Sequence, residues 1–204
     1  MAVVTISRQF GAGGITLAEI VAERMGYRFY DHQIIQMVAQ KAKVSTRWVE
    51  SMEKEAGGLM ERLIAGLVSR NFMERLLDEH RGYIDEEVYV DLLHSIIRKI
   101  ADEGNAVILG RGAQYVLKDQ EGVFHTLLVA EKNYRVLFIE EKYELFTKHA
   151  QQTVNNEDKR RTNLYRKFGH EDYDHWAHYH MVLNVGRVGI DKAADLICRL
   201  VQTG

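Results

Sequence analysis

Short apolar runs alternate along the chain with longer stretches in which apolar residues recur every three or four positions. Ala2-Val3-Val4-Thr5-Ile6 is apolar and β-branched, as suits a strand buried on both faces. Gly11, Gly13 and Gly14 follow. Leu17, Ile20, Val21 and Met25 then fall at helical spacing, and Gly26 suits the position that ends a helix. Arg28-Phe29-Tyr30-Asp31 reads as a second short strand, so the chain opens strand, loop, helix, strand.

From residue 32 to about 103 the pattern is helical. Ile34, Ile35 and Val38 mark one helix. Ser45 or Thr46 can cap another that carries Trp48, Val49 and Met52. Gly57-Gly58 interrupts before Leu59, Leu63, Ile64 and Leu67, and the span 70–87 is charged. Val88, Leu92, Leu93, Ile96, Ile97 and Ile100 form a stripe that fits a core face or a face between two copies of the chain. Ala106-Val107-Ile108-Leu109, Thr126-Leu127-Leu128-Val129-Ala130 and Met181-Val182-Leu183-Asn184 read as further strands, and residues 190–201 as a closing helix. Strands alternating with helices predict an α/β fold: a five-stranded parallel sheet with helices on both faces and right-handed crossovers.

The length of 204 residues suits one such domain, 1–204, with an insertion. A net charge of -2 offers no general attraction for nucleic acid, though a local basic cluster could hold small anions. The single cysteine, Cys198, excludes an internal disulfide, fits a reducing cytoplasm and falls in the apolar pattern of the last helix. The first residues read as a strand rather than a signal peptide, and no apolar run is long enough for a membrane span. Proline is absent, so glycine marks the turns.

The segment Ser7-Arg8-Gln9-Phe10-Gly11-Ala12-Gly13-Gly14-Ile15-Thr16 lies between strand and helix. Glycines there permit positive φ and close approach of backbone N–H groups to an anion, and the following helix points its free amides and positive dipole end at the same place. The residues fit a phosphate loop, and they also fit a tight glycine turn. The usual phosphate-loop pattern G-x-x-x-x-G-K-[ST] is modified: Arg8 stands at its first glycine and Gly14 at its lysine, which normally touches the β- and γ-phosphates. Arg8 offers a replacement charge.

S-R-x-x-G-x-G-G before a helix and a strand ending F-Y-D, followed by Gly110-Arg111-Gly112-Ala113 and by Asn184, Gly186, Arg187 and Gly189, resembles the cytidylate-kinase-like family. The pieces span nearly the whole chain in the family's order. The resemblance implies a P-loop kinase fold with a helical acceptor-binding insertion at 32–103 and a lid at 150–179. It implies ATP and Mg2+ as cofactors, with Gly11, Ala12, Gly13, Gly14, Ile15 and Thr16 around the phosphates and the Thr16 hydroxyl on magnesium. It also implies that Asp31 and Arg111 hold the acceptor, a small-molecule nucleotide or similar phosphorylated compound. Asp31 equally suits a helix N-cap, and Arg111 a structural ion pair. The acidic residues that flank the arginine in cytidylate kinases are absent here.

Arg160, Arg161 and Arg166 fall in the lid region, where phosphoryl transfer needs positive charge around the equatorial oxygens; a solvated basic helix face is the plainer reading. His170, His175, His178 and His180 cluster without a metal-ligand spacing. The expected activity is transfer of the ATP γ-phosphoryl group to a nucleoside monophosphate or similar acceptor, with Arg8, Arg160, Arg161 and Arg166 stabilising charge. The alternative is a non-catalytic nucleotide- or anion-binding regulatory module.

Overall fold

A computed structural model describes residues 1–42, 46, 47, 50, 86–167, 172 and 174–203. The elements are β1 (Val3–Arg8), α1 (Gly14–Met25), β2 (Arg28–Tyr30), α2 (His32–Ala42), α3 (Glu86–Glu103), β3 (Ala106–Leu109), α4 (Ala113–Val116), β4 (Val123–Val129), α5 (Lys132–Tyr143), α6 (Thr147–Lys167), β5 (Met181–Asn184), α7 (Val185–Val188) and α8 (Ile190–Thr203), with a 3-10 turn at Trp176–His178. The helices expected around Trp48 and Leu63, and the charged span at 70–85, lie outside the described residues.

The sheet has five strands, ordered β2-β3-β1-β4-β5, and every pairing is parallel. The α/β fold expected from the alternation of elements is the one observed. Alternate residues of β1 feed two cores. Val3 joins Ile34, Ile35, Leu93, Ile97 and Ile108 beneath α2 and α3. Val4 and Ile6 join Leu17, Val21, Ala194 and Ile197 beneath α1 and α8. The stripe on α3 is therefore core at Leu93, Ile96, Ile97 and Ile100. Cys198 is buried in the second core, and burial raises its thiol pKa. Among the described residues no helix is long and apolar enough to cross a membrane.

Two strands run further than their apolar patterns. β1 continues through Ser7 and Arg8 because these pair with Leu127 and Leu128 of β4. β4 begins at Val123 because the polar His125 is accommodated inside: its Nδ1 lies 2.7 Å from the Oγ1 of buried Thr5. The extra length of β1 carries Ser7 and Arg8 to the carboxyl edge of the sheet, where open parallel sheets present their ligand sites.

Candidate phosphate-binding site

The glycine loop leaves β1 between its neighbours β3 and β4. The Gln9 amide donates to Leu128 O (3.0 Å), the Gln9 Oε1 accepts from the Ala130 amide (3.0 Å), and the Ala12 amide closes a turn onto Gln9 O (3.2 Å). Gly11 (φ 82°) and Gly13 (φ 70°) are left-handed, which glycine adopts without a side-chain clash. The amides of Gly11, Gly13, Gly14, Ile15 and Thr16 form no backbone hydrogen bond among the described residues; donation back into the helix begins with Leu17 to Gly13 O (3.0 Å). A curved run of unused N–H groups at a helix start is an anion cradle.

Arg8 crosses this cradle. A Cβ on Gly14 would stand 2.7 Å from Arg8 Cγ, and one on Gly110 would collide with Arg8 Nη1. The side chain thus threads between two glycines. Its guanidinium forms no hydrogen bond among the described residues; the charge of Asp31 favours its protonated form, and those of Arg111 and Arg161 oppose it. Burial lowers the Arg8 pKa, with Asp31 opposing.

Arg111 lies in a turn where Gly110 (φ 72°), Arg111 (φ 59°) and Gly112 (φ 70°) are all left-handed. A non-glycine residue there is strained and needs support from its surroundings. Arg111 Nη2 donates to Asp31 Oδ1 at 3.4 Å, both side chains being largely buried. The Asp31 carboxylate therefore faces Arg111, while the Asp31 amide is taken by Gln33 Oε1 (3.1 Å).

At the end of β1 the Ser7 hydroxyl gathers groups from distant parts of the chain. It lies 3.2 Å from Tyr165 Oη, accepts from Arg161 Nη2 (3.0 Å) and hydrogen-bonds Tyr179. Arg161 also donates to both Asp174 oxygens (2.8 and 2.5 Å), and its guanidinium stacks over the Tyr165 ring at 5.0 Å. Burial works against the Arg161 charge, but Tyr165 and Asp174 outweigh it and raise the pKa. Burial raises the Tyr179 and Tyr115 hydroxyls, so both stay protonated at neutral pH. Tyr115 packs edge-on to Tyr165 and to His178.

The structure brings together Arg8, Gly11, Ala12, Gly13, Gly14, Ile15, Thr16, Asp31, Arg111 and Arg161. Arg160 pairs with Glu157 (2.6 Å) on α6, and Arg166 is exposed. Of the described histidines, His175 stacks on Trp176, and His180 Nδ1 accepts from the His125 amide (2.9 Å). His170 lies outside the described residues. Ser7, Tyr165, Tyr179 and Asp174 are not among the site residues expected from the sequence; Ser7 opens the S-R-x-x-G-x-G-G pattern, while no local pattern marks the other three. Arg135 was also missed; its position beside the apolar Val136 and Ile139 is the one hint of its burial. Its Nη1 donates to Phe10 O (3.0 Å) within the glycine loop and to Asp158 (2.8 Å) on α6.

The strand order, the amide cradle after β1 and the helices on both faces define a P-loop kinase fold. The chain belongs to the cytidylate kinase-like family, whose model matches residues 3–187. Among solved structures, an uncharacterized protein from Eubacterium ventriosum is similar over all of both chains, at 20% identity and TM-score 0.68. A shikimate kinase from Bacteroides thetaiotaomicron is similar over 98% of each chain, at 12% identity and TM-score 0.52. A gluconokinase from Sinorhizobium meliloti is similar over 99% of this chain and 94% of its own, at 11% identity and TM-score 0.50. No curated protein matches the chain. Family and fold together support a kinase-type phosphotransferase.

Proposed function

We propose that the protein transfers the γ-phosphoryl group of ATP to a nucleoside monophosphate or a similar small phosphorylated acceptor. The observation that carries this reading is Arg8: a largely buried guanidinium without a hydrogen-bond partner among the described residues, laid beside unused loop amides. A buried cation in that state is stabilised by an anion.

In this reading residues 11–16 hold the donor phosphates through their amides. Arg8 neutralises the transferring group, and Asp31 with Arg111 positions the acceptor. An acceptor oxygen forms a bond to the γ-phosphorus as the bond to the bridging oxygen breaks, and ADP leaves with that electron pair. No covalent enzyme intermediate is needed, so positioning and charge do the work. Arg161 braces the site through Ser7 and Asp174, and Arg160 and Arg166 add charge from the lid at 150–179. Thr16 is the loop residue that would hold magnesium, since a hydroxyl oxygen suits a hard cation. The ion would supply further neutralisation of the phosphate oxygens.

The test is ADP release measured by a coupled assay, with ATP, magnesium and a panel of nucleoside monophosphates and other small phosphorylated acceptors. Saturable, acceptor-dependent release is expected. ATP binding without turnover on any acceptor would instead identify a binding module.

A further inference from the structure

Helix α5 lies along the glycine loop. A Cβ on Gly11 would stand 2.7 Å from the Arg135 carbonyl oxygen, and one on Gly13 3.6 Å from Phe138 Cε2. Lys142 Nζ lies 3.5 Å from Thr16 Oγ1. Positions 135, 138 and 142 share one helix face at three- and four-residue spacing, so successive side chains of α5 meet successive parts of the loop. Arg135 fixes this docking through its hydrogen bond to Phe10 O.

Lys142 is exposed, and several acidic residues are close to it in the chain: Glu140, Glu141 and Glu144. Among the described residues it nonetheless makes no ion pair. Its ammonium sits 5.7 Å from the centre of the Phe138 ring, a cation–π distance, and points at the Thr16 hydroxyl. The ring holds the side chain over the first turn of α1, beside amides that have no acceptor. Arg8 packs against Gly14 of the same loop and against Gly110.

We propose that Lys142 supplies from α5 the ammonium charge that position 14 lacks, by contacting the donor phosphates held on the loop amides. The proposal rests on the loop being the donor site. The work of a loop lysine is then divided: Arg8 acts beside the transferring group and Lys142 beside Thr16. A flexible four-carbon stem lets the Lys142 ammonium reach from α5 to the phosphates as they bind.

Calorimetry on the full chain tests this, with ATP and inorganic tripolyphosphate as probes and wild type, Lys142→Met, Lys142→Arg and Lys118→Met as proteins. Lys118 is an exposed lysine outside the site. Lys142→Met is expected to weaken both probes about ten- to hundredfold, the range for a charge-assisted hydrogen bond. Lys142→Arg should keep most of the affinity, and Lys118→Met all of it. Unchanged binding in Lys142→Met, or an equal loss in Lys118→Met, would overturn the lysine's role while leaving the donor site intact. A wild type that binds neither probe would overturn the donor site and the lysine together. Lys142 is exposed, so unchanged melting temperatures are expected and confirm that folding is not the variable.

Discussion

Arg8 and Gly14 occupy one volume. A Cβ on Gly14 would stand 2.7 Å from Arg8 Cγ and 3.2 Å from Arg8 Cβ. Gly14 is the first residue of α1 and is not left-handed, so its backbone does not demand glycine; the neighbouring arginine stem does. Loss of the usual loop lysine and gain of Arg8 are two sides of one packing choice.

This coupling predicts non-additivity. Gly14→Lys alone overpacks the loop and should cost about 1–3 kcal/mol while weakening ATP. In an Arg8→Ala background the contacts with Cγ and Cδ are gone and only the Cβ contact at 3.2 Å remains, so the same lysine should fit better and recover part of the lost affinity. Melting temperatures and ATP calorimetry on the four proteins decide it; simple additivity would show that the two side chains do not share the space.

Arg8→Ala by itself should lower turnover by about a hundredfold or more, as loss of a transition-state charge contact does. It should weaken ATP more than AMP, because AMP lacks the β- and γ-phosphates. If Arg8 only braces the loop, ATP and AMP would weaken alike and the melting temperature would fall.

Gly13→Val should abolish ATP binding in a protein that still folds. The position is left-handed (φ 70°), and a Cβ there would lie 2.6 Å from Ile190 Cδ1, the end of a flexible side chain. Backbone strain on a β-branched residue falls on the cradle, and the displaced Ile190 lies at the edge of the second core, so a modest loss of stability accompanies it. Wild-type ATP affinity in the variant would remove the loop from the binding site.

Much of this was legible because its signals are local. Apolar β-branched runs and helical periodicity mark β1, β3, β5 and the outer helices, and the glycines with G-R-G and N-x-G-R mark the sheet edge. What stayed hidden depends on residues far apart in sequence. Ser7 meets Arg161 and Tyr165 only after three crossovers, when α6 returns within the fourth. His125 interrupts an apolar run, and its place inside the sheet becomes intelligible only with Thr5 opposite it. Arg135 and Lys142 read as ordinary charges on a surface helix until α5 is seen lying along the loop.

His125 gives the fold an acid sensitivity of known sign. Burial, with His180 adding to it, lowers its pKa from 6.5 to about 4. The ring is neutral in the folded chain, while the unfolded chain takes up a proton as pH falls below 6.5. Stability is therefore fully present above that value, declines as pH falls towards about 4 and levels off below it. Within the window this site lowers the folding constant by up to about tenfold per pH unit. Urea unfolding from pH 7.5 downwards, on wild type and His125→Gln, checks it: the variant should lose this part of the slope. An unchanged slope would assign it to other groups.

Arg135 joins the loop to α6 through a single nitrogen, which donates to Phe10 O (3.0 Å) and to both Asp158 oxygens (2.8 and 3.0 Å). The two halves of that junction have different consequences. Asp158 is about a third exposed, its side chain being 37% accessible, and an asparagine there keeps an oxygen that can accept from the buried Arg135. Asp158→Asn should cost about 1 kcal/mol or less and leave ATP affinity nearly unchanged, because the bond to Phe10 O survives. Arg135→Met removes that bond as well, leaves the loop carbonyl unpaired and should cost about 1–3 kcal/mol. It should also weaken ATP, measured well below the melting temperature, because the cradle amides follow Phe10. Arg135→Lys, which keeps a donor and a charge, should restore part of the affinity. If Asp158→Asn weakens ATP as much as Arg135→Met does, the ion pair with α6 rather than the hydrogen bond to the loop sets the shape of the site.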